Sequence, residues 1–207
     1  MTLGGRVETV ASDVAEIVKA GSELGLSLNV AKCELIVHSD LQVNDTLLQL
    51  FQRVEISNTT LMGAPLFSGP ALDSAWKKRC NDLARAVDRL STINSQDGLI
   101  LLRSSFSAPK VLHLLRCSPS VYHPSLAKFD ALLRRSIQLI TNSDLSDSQW
   151  IQTSLPVRDG RLGIRRVTSL AIPAFIASAA STLSIQDDIL TNCVKPDSES
   201  VQAYLSS

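Results

Sequence analysis

The strongest constraint on this fold is a change of period at Ser68-Gly69-Pro70. Beyond it the apolar residues step by three and four. Trp76, Cys80, Leu83, Val87 and Leu90 make one narrow seam, and Leu126, Phe129, Leu133, Ile137 and Ile140 make another. Seams of that spacing are one-sided helices, so the chain from residue 69 onward is expected to be helical only. Before the change the pattern is mixed. Val7, Val10, Val14, Ile17, Gly21 and Leu24 trace a helix that opens after Gly4-Gly5 and stops near Gly25, a natural left-handed end. Leu26 and Leu28 alternate with Ser27 and Asn29, and Cys33 to Val37 is a second apolar run; together they read as a hairpin-like strand pair. Residues 41–51 suit a short helix. Val54–Ile56 and Thr60–Met62 suit strands around a turn at Gly63-Ala64-Pro65. Pro65 lacks a backbone N–H, which places it at an edge or in the turn.

The helical part has its own punctuation. A segment starting at Gly98–Leu102 is expected to bend or break at Pro109 and to continue through Lys110–Arg116. Pro119 and Pro124 bracket a loop, and Ser125–Thr141 is amphipathic with Lys128, Arg134 and Arg135 outside. Ser146-Asp147-Ser148-Gln149 is a capping-box pattern ahead of Trp150, and Arg158-Asp159-Gly160 makes a turn. Val167–Ile185 has no charged residue and is long enough to span a bilayer, at roughly 20 residues. Six Ser/Thr residues (168, 169, 178, 181, 182 and 184) and Pro173 argue instead for a helix buried in the globule, with no membrane as partner. Gln186–Ser207 is polar and reads as a frayed tail.

The net charge of zero conceals an asymmetry. Residues 1–73 carry 4 Lys and Arg against 9 Asp and Glu, residues 74–166 carry 15 against 7, and residues 167–207 carry 1 against 4. A basic middle of net +8 suggests a polyanion partner, or else a helical bundle with Lys/Arg-rich solvated faces. On the first long helix Lys78, Arg85 and Arg89 fall within about 40° of one another at 100° per residue. Asp82 lies among them, spaced to pair with Lys78 or Arg85. Cys33, Cys80, Cys117 and Cys193 are scattered, with neither disulfide nor zinc spacing, and read as small buried hydrophobes in a reducing compartment. No signal-peptide pattern opens the chain, so an intracellular, non-secreted protein is expected. His38, His113 and His123 lack metal spacing and are assigned no chemistry.

Four motifs stand in order along the chain: Met1-Thr2-Leu3-Gly4-Gly5; Gly25-Leu26-Ser27-Leu28-Asn29-Val30-Ala31-Lys32-Cys33-Glu34; Leu61-Met62-Gly63-Ala64-Pro65-Leu66; and Leu155-Pro156-Val157-Arg158-Asp159-Gly160-Arg161-Leu162-Gly163-Ile164-Arg165. In this order they resemble the reverse transcriptases of non-LTR (LINE-type) retrotransposons. Met1–Gly5 resembles the residues just downstream of the metal-binding Asp-Asp, which is itself absent. Gly25–Glu34 resembles the segment closing the palm, Leu61–Leu66 the turn that grips the primer, and Leu155–Arg165 a segment beyond the thumb. The resemblance runs to about Leu183.

It implies an α+β, predominantly α-helical fragment. Residues 1–68 would end the palm, 69–142 form a thumb, 143–185 a post-thumb helical region, and 186–207 a tail. It implies that Met62, Gly63, Ala64 and Pro65 act as primer grip, and that Lys77, Lys78, Arg85 and Arg89 follow the backbone of a template–primer duplex. Lys32 would stand near the nucleotide phosphates as a leaving-group lysine; the plain alternative is a turn lysine that solvates a loop. Asn29 and Glu34 are expected to fix that turn. Polymerisation needs carboxylates holding two divalent metals roughly 3.5–4 Å apart. Glu34, Asp40 and Asp45 have the wrong order for this, and Asp187-Asp188 reads as a solvated helix end. No metal site or cofactor is therefore expected in this chain, magnesium belonging to the full polymerase with its missing portions. The rival reading is a helical scaffold or protein-interaction module, or a decayed element with no activity of its own.

Overall fold

The computed structural model describes residues 1–37 and 42–192; His38, Asp40, Leu41, Cys193 and most of the expected polar tail lie outside them. Among the described residues are seven α-helices, four two-residue strands in two small sheets, and short 3-10 turns. The protein is predominantly helical with little β structure. Two compact units divide it, Met1–Thr60 and Leu61 onward, eight residues ahead of Ser68-Gly69-Pro70. Strand β4 (Ala64–Pro65) packs on α2 (Pro70–Leu90) and α4 (Ala108–Cys117), which draws the turn into the helical unit.

In the first unit α1 (Val7–Glu23) ends as the sequence leads one to expect. Gly25 takes φ +75°, its N–H donates to the Ser22 carbonyl at 3.1 Å, and the Leu26 N–H donates to the Gly21 carbonyl at 2.9 Å. This double closure satisfies two carbonyls at the helix end, and only glycine takes that φ without a Cβ penalty. Leu24, expected on the buried stripe, is 78% exposed because the cap turns it outward. The hairpin expected next does not form. Val30–Lys32 winds into a 3-10 turn, which redirects the chain without reversing it. The strand after it, β1 (Glu34–Leu35), pairs in parallel with β2 (Gln52–Arg53). The Gln52 and Val54 N–H groups donate to the Cys33 and Leu35 carbonyls, each at 3.0 Å. Parallel strands need a crossover connection, and sixteen residues of sequence separate Leu35 from Gln52. Among the described residues of the short helix expected at 41–51, a 3-10 turn forms at Leu48–Leu50 instead, capped by Asp45 Oδ1, which accepts from the Leu47 and Leu48 N–H groups at 2.9 Å. Val14, Val43 and Leu48 are the buried centre of this unit.

The second unit begins at the hairpin of β3 (Thr60–Leu61) and β4, whose turn is Met62-Gly63. Val54–Ile56 forms no strand, Ile56 instead opening a 3-10 turn. Both seams are buried as spaced: Trp76, Cys80, Leu83, Val87 and Leu90 on α2 join Leu126, Phe129, Leu133, Ile137 and Ile140 on α5 (Pro124–Thr141) in one core. Between them lie α3 (Ser95–Leu101) and α4. The expected break falls at Ser107, two residues before Pro109, with ψ −137°. Pro109 offers no N–H to the Ser105 carbonyl, and its ring crowds that oxygen. The chain widens into a π turn over Leu102–Phe106, where the Ser107 N–H donates to the Leu102 carbonyl at 2.8 Å. Pro109 then sits in the first turn of α4, where a missing N–H costs nothing. Helix α6 (Asp147–Thr153) starts with the full Ser146/Gln149 capping box and buries Trp150.

Helix α7 (Val167–Asn192) corrects one expectation. It runs unbroken past Pro173 and on through Gln186, and it is not enclosed. Val167 and Ala171 are buried, but Ile172, Ile176, Leu183 and Ile189 are 44–59% exposed. Over Val167–Ile189 it is long and apolar enough to cross a membrane by length and composition, and only 6% of its most apolar stretch is buried. Its first turn is held by Asp130 of α5. Asp130 Oδ1 accepts from the Val167 N–H at 2.7 Å, and Oδ2 accepts from the Thr168 N–H at 3.2 Å and hydroxyl at 2.6 Å. A carboxylate at the positive end of a helix satisfies donors that the helix cannot.

Burial raises the Asp130 carboxyl above its ordinary value; the Thr168 hydroxyl, the two N–H groups and the Arg166 charge pull the other way and do not cancel it. A raised folded-state pKa means the folded protein holds the proton longer than the unfolded chain. Asp130's contribution is then fullest below the unfolded value of about 4 and shrinks as pH rises through the folded one. Asp130→Ala is expected to cost about 2 kcal/mol in urea unfolding at neutral pH, from a lost cap and orphaned buried donors. Relative to Asp130→Asn, which does not titrate, the native protein should gain stability as pH falls toward 4. A difference independent of pH would contradict the assignment.

Candidate nucleic-acid interface

The buried seam of α2 dictates its opposite face. Lys77, Lys78, Asn81, Arg85, Asp88 and Arg89 are exposed because Trp76, Cys80, Leu83 and Val87 occupy the other side. Lys78, Arg85 and Arg89 line up along the helix over about 16 Å at 1.5 Å per residue, with Lys77 to one side. Of the two pairings open to Asp82, the structure shows the one to Arg85. Counting Asp82 and Asp88, the face carries four cations against two anions. Ser74, Lys77, Lys78, Asn81 and Arg85 line a shallow, open depression on it.

The other expected contact surface is the hairpin turn. Met62 at φ +51° and Gly63 at φ +76° make the two-residue left-handed turn that matches strand twist. Met62 is 87% exposed, whereas Ala64 and Pro65 are buried against the helices. What the turn offers a partner is thus the Met62 side chain and the Gly63 backbone. Pro65, in a two-stranded sheet, occupies the edge its missing N–H allows. The Met62 carbonyl receives His113 Nε2 of α4 at 3.2 Å, and His113 Nδ1 lies 3.6 Å from Cys117 Sγ. This link went unread in the sequence, although the four-residue spacing of His113 and Cys117 was there to find.

Lys32 is exposed on its 3-10 turn in the other unit. Its turn is fixed by the Asn29 carbonyl, which accepts from the Lys32 N–H at 3.0 Å and from Cys33 Sγ at 3.3 Å. Asn29 thus fixes the turn as expected, through its backbone carbonyl. Glu34 is exposed in β1 and Asp45 is occupied as a cap. Among the described residues no three His, Cys, Asp or Glu side chains converge as metal ligands. Asp187 and Asp188 are exposed near the C-terminal end of α7.

His123 caps α5: its Nδ1 accepts from the Ser125 N–H at 3.2 Å and its Nε2 meets Asp73 Oδ1 at 2.9 Å. The ring stacks on Trp76 with centroids 6.0 Å apart. These contacts make it a structural side chain. The Leu155–Arg165 segment closes on itself, the Gly163 N–H donating to the Leu155 carbonyl at 3.0 Å and Ile164 entering the core.

Comparison of the chain with protein-family models, with curated proteins and with solved structures finds no match. From the geometry of the turn, Gly63→Val is expected to lower stability of the helical unit by about 1–2 kcal/mol, since a β-branched residue resists a left-handed φ. Guanidinium melts that overlay those of the native protein would show that the turn opens without cost.

Proposed function

We propose that this chain is the C-terminal palm and thumb portion of a non-LTR retrotransposon reverse transcriptase, contributing sequence-independent grip on a template–primer duplex. The observation that carries the reading is the exposed row of Lys78, Arg85 and Arg89 on α2, with Lys77 beside it. Cations so spaced meet phosphates and carry no base preference. The motif order in the sequence supplies the family. In this reading Gly63 and Met62 touch the primer strand, Lys32 stands toward the nucleotide's phosphates, and the protein works inside the cell. Magnesium and its carboxylates belong to polymerase portions outside this sequence, so no catalytic step is assigned to these residues. A protein-interaction module is the alternative, favoured by the uncovered apolar surface of α7.

Fluorescence anisotropy with an RNA–DNA hybrid tests the polymerase reading. Lys78→Glu with Arg89→Glu should weaken binding and flatten its salt dependence, by roughly 0.9 log unit of slope per lost contact on B-form DNA. Binding should be competed by unlabelled hybrid and not by an acidic protein. An unchanged slope in a folded variant, or competition by the acidic protein, would shift the assignment to the interaction module.

The same reading expects that the purified chain does not extend a primer. General acid–base help from Lys32 is worth about 10²–10⁴-fold, against the roughly 10⁶-fold or more that enzymes supply. Magnesium-dependent incorporation of labelled nucleotide, abolished in Lys32→Ala, would overturn it.

A further inference from the structure

His113 and Cys117 stand one turn apart on the exposed face of α4; neither is assigned to the duplex, although His113 adjoins Met62 of the turn that is. A carbonyl only accepts, so the 3.2 Å contact to Met62 puts the ring hydrogen on Nε2 and leaves the Nδ1 lone pair facing the thiol at 3.6 Å. The order is nucleophile, base and a group that orients the base, the arrangement that activates thiols elsewhere. Moving the thiol proton to Nδ1 requires no side chain to move. The imidazolium then donates from Nε2 to Met62 and from Nδ1 to the thiolate. The negative end of α4 opposes a thiolate at Cys117, and Arg116 is the only cation in that last turn. His113 is therefore the group whose removal discriminates. The other described cysteines lack such a base: Cys33 donates to the Asn29 carbonyl, and Cys80 is buried, with its thiol pushed up by desolvation.

We propose that Cys117 is a thiol–disulfide exchange site for small disulfides such as glutathione disulfide, with His113 as its base. The Cys117 proton passes to His113 Nδ1, and the sulfur attacks one sulfur of the disulfide. A Cys117 mixed disulfide forms as the original S–S bond breaks. The departing thiolate takes the proton from His113 and leaves as a thiol. Cys117 is oxidised and half of the disulfide is reduced, so the exchange balances without another reactant.

The test treats the full chain with glutathione disulfide at neutral pH and follows each cysteine by peptide mass spectrometry. Each rate is divided by that of the same cysteine in urea. Exposure alone can bring this ratio only up to one. The Cys117 ratio is expected to reach about ten or more, less than the roughly 10²–10⁴-fold of a fully positioned general base because the pair is exposed to water. Cys33 and Cys80 should stay below one. His113→Gln should bring Cys117 to one or below while Cys80 remains protected, which reports that the variant is folded. A native Cys117 ratio at or below one overturns the proposal, as does an unchanged ratio in folded His113→Gln. Should that variant unfold, the native ratio alone decides.

Discussion

Trp76 has no exposed surface, and its indole N–H, which cannot be left unsatisfied in a core, donates to Ser120 Oγ at 3.1 Å. Around that bond the helical unit is arranged. Phe129 meets the indole edge-on at 6.3 Å, and His123 stacks on it while capping the helix that carries Phe129. Residues from α2, the loop before α5 and α5 itself are thereby fixed at one point. The α2–α5 seam, the orientation of the basic face and the placing of Asp130 beneath α7 all depend on this packing.

The sequence was legible where burial is one-sided and long. The seams of α2 and α5 repeat for four turns or more, and a period sustained that far has a single reading. The basic face was readable for the same reason, being the complement of the α2 seam. The capping box at Ser146 and the helix end at Gly25 were readable because each depends on local chemistry. The two-residue strands were not. Glu34–Leu35 is too short to carry a period, and its parallel partner lies beyond a crossover that no neighbouring residue announces.

Helix α7 was misread for a different reason. Absence of charge is the same whether a helix is enclosed or laid open, because the sequence records affinity for apolar surroundings and not their presence. The contact between His113 and Met62 was beyond the sequence too. It needs a left-handed turn and a helix about fifty residues apart to meet. Each alone is ordinary.

Pinned through Asp130 of α5 and packed against α4, α7 still leaves much of its surface uncovered. Its 26 residues rise about 39 Å. A rotation about its first turn would therefore have to repack the α4 contact before the far end could move. The converse also holds. Whatever presses sideways on the distal turns bears on α4, and through Asp130 on α5, which carries Phe129 to the indole at the centre of the unit.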